Sequence, residues 1–355
     1  MHIEDIDLNG RLEKTWAESE RSVTPDVTIA RALEATRSIG IELEVVPFVH
    51  GDVFWTARIN TDFKAQLSAN VRHFRVGGKG PSEKQATASC VMEFIERWSQ
   101  YRFTEAARKQ YECYDLREQR TYEISAMSDI YDTKCVAAGN NYEEAILHCL
   151  HELIETRMAN SLWKPFRIVE PQTLYPDLPE WVHRNMLLVL TPNDVPEFYH
   201  ITAVKYPSNG QFDTRVRDQI IKVEGQLFWS PANRPTNYHS PNSGSAAGLN
   251  PALCAFRAMN EVFQGDYRAL DDGKKRPPPE FIQVATSEDL PSYETDSITD
   301  DIRIILDRLG EDVFVGVIDL TDPKLGIPVV KLVSDYDPVT ALAARRTLAF
   351  FYDFC

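Results

Sequence analysis

The chain has 355 residues, and its hydrophobic content of 43% and charged content of 26% are typical of an ordinary globular protein. Its net charge of −15 argues against broad binding to nucleic acid or to an anionic membrane. No long apolar run predicts a transmembrane helix, and the first residues lack the pattern of a signal peptide. The six cysteines include no Cys-x-x-Cys pair. We therefore expect a cytoplasmic protein that binds neither membrane nor nucleic acid.

Apolar periodicity, capping residues and turn residues predict alternating strands and helices. In chain order these are a helix over 22–40, strands over 41–46, 53–59 and 71–80, helices over 83–101 and 142–159, strands over 186–190 and 198–206, helices over 250–268 and 300–309, strands over 313–320 and 327–333, and a helix over 338–351. Residues 242–248 and 271–281 are interpreted as connecting loops. We expect an α/β (mixed α+β) fold, with an N-terminal extension over 1–60 packed on a larger domain over 61–355.

Three of the predicted helices carry acidic residues with the same spacing. In each, a carboxylate is followed three residues later by a second carboxylate or a carboxamide, so that both lie on one helix face. The pairs are Glu93/Glu96, Glu152/Glu155 and Glu261/Gln264. Acidic helix faces are usually solvated, so the spacing alone leaves a surface face and a binding site both open.

Clustered carboxylates repel one another, and Mg²⁺ can neutralise them together with substrate phosphates. Four basic residues in the same regions have the chemistry to hold phosphate oxygens: Lys79, Arg97, Arg157 and Arg257. A Mg²⁺–nucleotide site without a P-loop is one interpretation. A di-iron site is the competing one, although it requires Glu-x-x-His pairs that these helices lack. His148 and His151 are interpreted as part of a polar helix face rather than as zinc ligands.

Three segments resemble the YcaO family, whose members are ATP- and Mg²⁺-dependent enzymes that activate peptide backbone amides. The segment over 78–101 has Gly-Lys-Gly followed by Ser-xxx-Glu-xx-Glu-Arg, 139–155 has Gly-Asn followed by Glu-Ala and Glu-xx-Glu, and 252–264 has Arg-Ala-xx-Glu-xx-Gln. Weaker similarity covers 21–41 and 317–332. The resemblance implies a YcaO-like fold, in which β-sheets and amphipathic helices surround a central acidic nucleotide and Mg²⁺ site within the domain over 61–355.

The resemblance also implies roles for individual residues. Mg²⁺ ligands would be Glu93, Glu96, Glu144, Glu152 and Glu155. The nucleotide pocket would be lined by Lys79, Ser89, Arg97, Asn140, Arg157, Arg257, Glu261 and Gln264. No side chain is assigned as a catalytic nucleophile. Two positions depart from the family pattern: Thr156 separates the second Glu-xx-Glu from Arg157, and Asp266 stands where an arginine is usual.

By this resemblance, the protein phosphorylates a backbone amide oxygen during maturation of a ribosomally made peptide or protein. The N-terminal similarity and a C-terminus without a proline-rich segment favour thioamidation, with a TfuA-like partner. Azoline formation with a leader-binding partner and macroamidine formation are the alternatives. Because of Thr156 and Asp266, a non-catalytic YcaO-like scaffold or peptide-binding protein also stays open. We further expect a homodimer.

Overall fold

We describe the protein from a computed structural model. The description covers residues 3, 6–15, 20–61, 76–105, 110–125, 134–158, 167–191, 195–205, 242–264, 283–284 and 290–336. The predicted loop over 271–281, the predicted helix over 338–351 and the first half of the predicted strand over 71–80 lie outside these residues.

The described helices and strands confirm the mixed α/β fold class. The helices are α1 (Pro25–Ser38), α2 (Glu83–Glu105), α3 (Tyr142–Met158), α4 (Pro171–Leu174), α5 (Glu180–Asn185), α6 (Pro251–Gln264) and α7 (Ile298–Leu309). The strands are β1 (Val45–His50), β2 (Phe54–Ile59), β3 (Gly77–Gly80), β4 (Gln110–Asp115), β5 (Arg120–Ser125), β6 (Val136–Ala138), β7 (Arg167–Val169), β8 (Met186–Thr191), β9 (Tyr199–Lys205), β10 (Asn242–Gly248), β11 (Gln283–Val284), β12 (Val315–Asp319) and β13 (Val329–Ser334). None of these helices combines the length and the apolar character needed to cross a bilayer.

The chain forms two compact units. Unit 1 comprises Met1–Ile154 and Glu294–Tyr336, and unit 2 comprises Glu155–Tyr293 and Asp337–Cys355. The predicted division after residue 60 stays a prediction, because residues 62–75 are outside the described part of the chain.

Unit 1 contains two antiparallel sheets. One has the order β1-β2-β3, and the other has the order β5-β4-β12-β13-β6. Helix α2 contributes much of the core through a stripe spaced three and four residues apart, as its sequence predicts. Val91, Phe94 and Ile95 in this stripe are fully buried, and Trp98 donates a hydrogen bond from Nε1 to Asp322 Oδ2 at 3.2 Å. Ser82 caps the helix by accepting a hydrogen bond from Gln85 N at 3.2 Å.

Strand β3 lies directly against α2, and Gly78 makes this contact possible. A Cβ atom at Gly78 would lie 2.0 Å from Ala86 O and 2.4 Å from Cys90 N, closer than packed atoms approach. The Gly-Lys-Gly sequence therefore brings the strand onto the helix, and the charge of the intervening Lys79 acts on Glu93 of that helix.

Unit 2 contains one sheet with the strand order β10-β9-β8-β7-β11. The interpretation of 242–248 as a connecting loop is wrong, because these residues form β10 and pair with β9 along their whole length. Helix α6 packs on one face of this sheet, where a Cβ atom at Gly244 would lie 2.4 Å from Ala258 O. Small residues in β10 thus serve close helix packing rather than a flexible connection.

Candidate active site

Glu93 and Glu96 lie one turn apart on α2, and both are held by Arg97. The guanidinium is 3.6 Å from Glu93 Oε1 and 3.4 Å from Glu96 Oε1. Gly77 N donates a second bond to Glu93, 2.9 Å from Oε2. Glu96 is only 8% exposed, which excludes the solvated-face interpretation for this helix. The acids on α2 therefore lie inward, as the nucleotide-site interpretation requires.

Burial and neighbouring acids disturb the ionisation of this pair. Burial raises the pKa of Glu93, although Gly77 N, Arg97 and Lys79 oppose that rise. Burial also raises the pKa of Glu96 well above its ordinary value, and the negative charges of Glu152 and Glu93 add to the effect. One arginine does not compensate this local excess of carboxylates, so a bound divalent cation would relieve a real electrostatic cost.

Glu152 brings helix α3 into the same cluster. Its Oε2 accepts a hydrogen bond from Cys135 N at 2.9 Å, and its Oε1 lies 3.7 Å from His148 Nε2. Its negative charge also contributes to the raised pKa of Glu96 on α2. The structure thus brings together three of the five predicted Mg²⁺ ligands.

Glu144 and Asn140 form a separate hydrogen-bond network with the N-terminal part of the chain. Glu144 Oε1 accepts from Ser22 N and Ser22 Oγ, both at 2.6 Å. Glu144 Oε2 accepts from Asn140 N and Asn140 Nδ2, both at 2.8 Å. Asn140 Nδ2 also donates to Thr28 Oγ1 at 3.0 Å. Glu144 is thus a buried anchor for residues 22–28, and its role as a Mg²⁺ ligand stays a prediction.

In unit 2, Glu155 and Glu261 both contact strand β10. The Ser245 hydroxyl donates to Glu155 Oε1. Ser245 N donates to Glu261 Oε2 at 3.2 Å. Ser245 is not among the predicted site residues, because the composition of 242–248 favours a loop. The sequence feature that could have identified it is a serine within a segment of small residues, directly before the helix that carries Glu261.

The remaining predicted site residues have less structural detail. Ser89 is half-buried on α2, one turn before Glu93, and Arg257 is half-buried on α6. The backbones of Arg157 and Gln264 lie in α3 and α6, and their side chains are outside the described part of the structure. The nucleotide-binding roles of all four stay predictions.

A different acidic group in unit 1 has a structural role. Among the described residues, carboxylate oxygens of Glu20, Glu294 and Asp301 lie within 4.8 Å of one another. Lys14 Nζ lies 2.5 Å from both Glu294 and Asp301 and is 3% exposed, so a lysine neutralises the group from within. The interpretation of His151 as part of a polar helix face is wrong, because it is buried with Nδ1 3.5 Å from Glu20.

The sequence matches the family described as YcaO cyclodehydratase, ATP- and Mg²⁺-binding, over residues 122–334. This match covers more than half of the chain. The chain belongs to the YcaO family. The match includes Glu144, Glu152 and Glu261, whereas the Lys79–Arg97 segment precedes it. No curated protein matches the sequence.

Solved structures confirm the YcaO fold. The chain is similar to YcaO from Methanopyrus kandleri bound with AMPPCP and Mg²⁺, at 20% identity and a TM-score of 0.64, over 91% of this chain and 93% of that one. It is also similar to a heterocyclase in complex with substrate and cofactor, at 16% identity and a TM-score of 0.62, over 92% of this chain and 54% of that one. With the family assignment, ATP and Mg²⁺ are the cofactors, and ATP-dependent amide activation is the general activity.

The residues in unit 1 fit these cofactors chemically. Carboxylates are the ligands that Mg²⁺ prefers, and here Glu93, Glu96 and Glu152 lie together with raised pKa values on the two α2 acids. Lys79 and Arg97 supply positive charge beside them, as phosphate binding requires. The di-iron interpretation is overturned by the family assignment.

Proposed function

We propose that the protein uses ATP and Mg²⁺ to phosphorylate the oxygen of a peptide backbone amide, with external sulfide as the nucleophile and a thioamide as the product. The observation that carries the proposal is an acidic cluster in unit 1. Buried Glu96 and half-buried Glu93 share Arg97, and the charge of Glu152 raises the pKa of Glu96. Repulsion among such carboxylates lowers the stability of the ligand-free protein, and a bound hard cation with its phosphates would remove that repulsion.

The chain's residues would act by positioning and by neutralising charge. Mg²⁺, when bound, offsets the negative charge of the phosphate oxygens. Glu93, Glu96 and Glu152 would hold the metal, while Lys79 and Arg97 would face phosphate oxygens. Phosphoryl transfer needs mainly alignment and electrostatic stabilisation, so no protein nucleophile is required. The predicted roles of Glu144, Glu155, Arg257 and Glu261 stay part of the proposal.

The proposed reaction balances in two steps. Hydrosulfide adds to the amide carbon, and the resulting oxyanion takes the γ-phosphoryl group of ATP, which releases ADP. The carbon–oxygen bond then breaks, inorganic phosphate leaves with its electron pair, and loss of the S–H proton gives C=S. Sulfide is preferred because of the weaker N-terminal resemblance to the family over 21–41. Ser22 and Thr28 in this segment contact Glu144 and Asn140, which ties the segment to helix α3.

The same activated amide would give other products with other nucleophiles. A cysteine, serine or threonine side chain of the substrate would give an azoline, and a backbone amide would give an amidine. A TfuA-like partner fits the first outcome, a leader-binding partner fits azoline formation, and a homodimer is part of the proposal in either case.

Mass spectrometry tests the proposal directly. The protein is incubated without oxygen with MgATP, sodium sulfide and peptides encoded beside its gene, and peptide products and ADP are both measured. We expect ADP release together with exchange of one oxygen for sulfur in a peptide. Glu96→Gln should abolish both signals, whereas Glu34→Gln, on the exposed face of α1, should change neither. Loss of one water in place of sulfur incorporation would show that a nucleophile of the peptide itself attacks, as in azoline or amidine formation, and would overturn the sulfide proposal.

A binding measurement separates the enzyme from a non-catalytic scaffold. The proposal expects the protein to bind ATP only with Mg²⁺ and to release ADP when a substrate peptide is present. A protein that neither binds MgATP nor releases ADP with any peptide would contradict the enzymatic function.

A further inference from the structure

The sheet of unit 2 carries a row of polar side chains on the face opposite to α6. Gly244 faces α6, so its neighbour Ser245 faces the other way. In the antiparallel register, Ser245 pairs with Thr202, and Ala247 pairs with His200. Opposite residues share a face, so His200, Thr202 and Ser245 form one contiguous group.

Two members of this group are buried without satisfying their polar atoms. His200 is 0% exposed and Thr202 is 5% exposed. Neither imidazole nitrogen of His200 nor the Thr202 hydroxyl has a hydrogen-bond partner among the described residues. Buried polar groups in folded proteins are nearly always hydrogen-bonded, and leaving three such atoms unpaired is costly. A face that keeps this cost at adjacent positions is suited to a ligand that supplies the missing partners.

The chemistry of the group selects a neutral ligand. Burial lowers the pKa of His200 to about 4, so its ring is uncharged at neutral pH and offers one donor and one acceptor. Among the described side chains of this face none is cationic, and Ser245 is bonded to the Glu155 carboxylate. A phosphate would therefore meet negative charge without a counter-charge. A peptide amide, with one N–H and one C=O, matches an imidazole and a hydroxyl.

We propose that His200 and Thr202 bind the backbone amide of the peptide substrate. The substrate would reach them past Ser245, which is half-buried on β10, the first strand in the sheet order. This inference rests on the proposed function and assigns a substrate subsite within it. Glu155, which accepts a bond from Ser245 on the same face, is itself one of the predicted Mg²⁺ ligands.

Nuclear magnetic resonance tests binding without ATP or a known substrate. N-acetylglycine N-methylamide serves as a minimal backbone amide, and inorganic phosphate serves as the anionic comparison. Long-range proton–nitrogen spectra of ¹⁵N-labelled protein report on all eight histidine rings. The His200 signal is assigned by its absence in His200→Phe, or in His200→Gln if that variant does not fold. We expect the amide to shift this signal saturably and phosphate to leave it unchanged.

Thr202→Val supplies the second arm, because valine keeps the shape of threonine and removes the hydroxyl. We expect this variant to weaken amide binding about two- to tenfold, as expected for one lost hydrogen bond. It should also raise the midpoint of thermal unfolding, since it removes an unsatisfied buried group. Thr36→Val is the matched control: Thr36 is fully buried and its hydroxyl donates to Leu33 O at 3.2 Å, so this variant should lower the midpoint and leave amide binding unchanged.

Several results would overturn the subsite. These are an absent His200 shift with the amide, an equal shift with phosphate, or the same amide affinity in Thr202→Val and Thr36→Val. A lower unfolding midpoint in Thr202→Val would show that the hydroxyl already has a partner, and would also refute it. None of these measurements uses ATP. A negative result would therefore refute the subsite alone, whereas the proposed function is refuted by an absence of MgATP binding.

Discussion

At the scale of single residues, the burial of Glu96 on α2 decides between a binding site and an ordinary acidic surface. Their spacing predicts a shared helix face but not which way that face points. The structure places Glu96 inside, close to Glu93 and Glu152, where its pKa is raised. Burying a carboxylate among other carboxylates costs stability, and proteins keep such costs mainly at functional sites.

This cost predicts a pH dependence of the metal-free protein. Because the folded-state pKa of Glu96 lies above its ordinary value of 4.5, stability is highest below that value and falls as the pH rises through the folded-state pKa. We expect Glu96→Gln to weaken this fall and to unfold at a higher temperature than wild type at pH 8. Thermal unfolding from pH 5 to pH 8 measures this effect. If the pH dependence of the unfolding temperature were the same in Glu96→Gln and wild type, ionisation of Glu96 would not be what destabilises the protein.

At the scale of elements, the N-terminal segment is joined to helix α3 by the Ser22–Glu144–Asn140 network. Asn141 caps α3, because its Oδ1 accepts a hydrogen bond from Glu144 N at 2.8 Å. The bonds from Ser22 were not predictable, since more than a hundred residues separate the partners and no local pattern encodes such pairing. The same limit applies to His151, which is buried by Glu20 from this distant segment.

A double-mutant cycle tests this connection. Ser22→Ala and Glu144→Gln should each lower the free energy of unfolding, by about 1 and about 2 kcal/mol respectively, because the second disturbs a charged acceptor. Their effects should be non-additive by more than about 0.5 kcal/mol, as expected for residues in one network. Ser38→Ala, whose hydroxyl bonds Ala35 O, should be additive with Glu144→Gln. Additivity of Ser22→Ala with Glu144→Gln would refute the connection.

The contact between β3 and α2 gives a second prediction at this scale. Gly78→Ala would force the strand from the helix and should cost about 1–3 kcal/mol of stability. It should also reduce MgATP affinity, because the strand positions Lys79 beside Glu93. Gly310→Ala is the control: it has a positive φ of 97° but open space around its Cβ position, so only backbone strain of about 1 kcal/mol is expected. Denaturant unfolding compares the two, and equal costs would contradict the close-packing account.

At the scale of the whole molecule, the long amphipathic helices were predicted well and the short, small-residue strands were not. Helices α2, α3 and α6 begin close to their predicted starts because capping residues and apolar stripes are local signals. Strand β10 has the sequence NSGSAAG, which has low strand propensity, and it is a strand because β9 pairs with it and α6 needs its glycine. The family resemblance, rather than periodicity, supplied the roles of the site residues.

The net charge of −15 argues against nucleic acid and anionic membranes as partners. Several of the acidic residues that cause it have defined positions in the fold. In unit 1, Glu93 and Glu96 share Arg97 and the charge of Glu152 acts on Glu96, and in unit 2 Glu155 and Glu261 both contact β10. Elsewhere Lys14 neutralises Glu294 and Asp301, so clustered acid in this molecule serves structure as well as binding. Among the described residues, only Glu93 and Glu96 combine a raised pKa with a predicted role as Mg²⁺ ligands.

ATP binding by calorimetry, with and without Mg²⁺, tests the central claim most directly. We predict that wild type binds ATP in a Mg²⁺-dependent manner, that Glu96→Gln and Glu152→Gln lose at least about tenfold in MgATP affinity, and that Glu34→Gln does not. Equal ATP binding with and without Mg²⁺, or unchanged MgATP affinity in both cluster variants, would contradict the assignment of these carboxylates to the metal–nucleotide site.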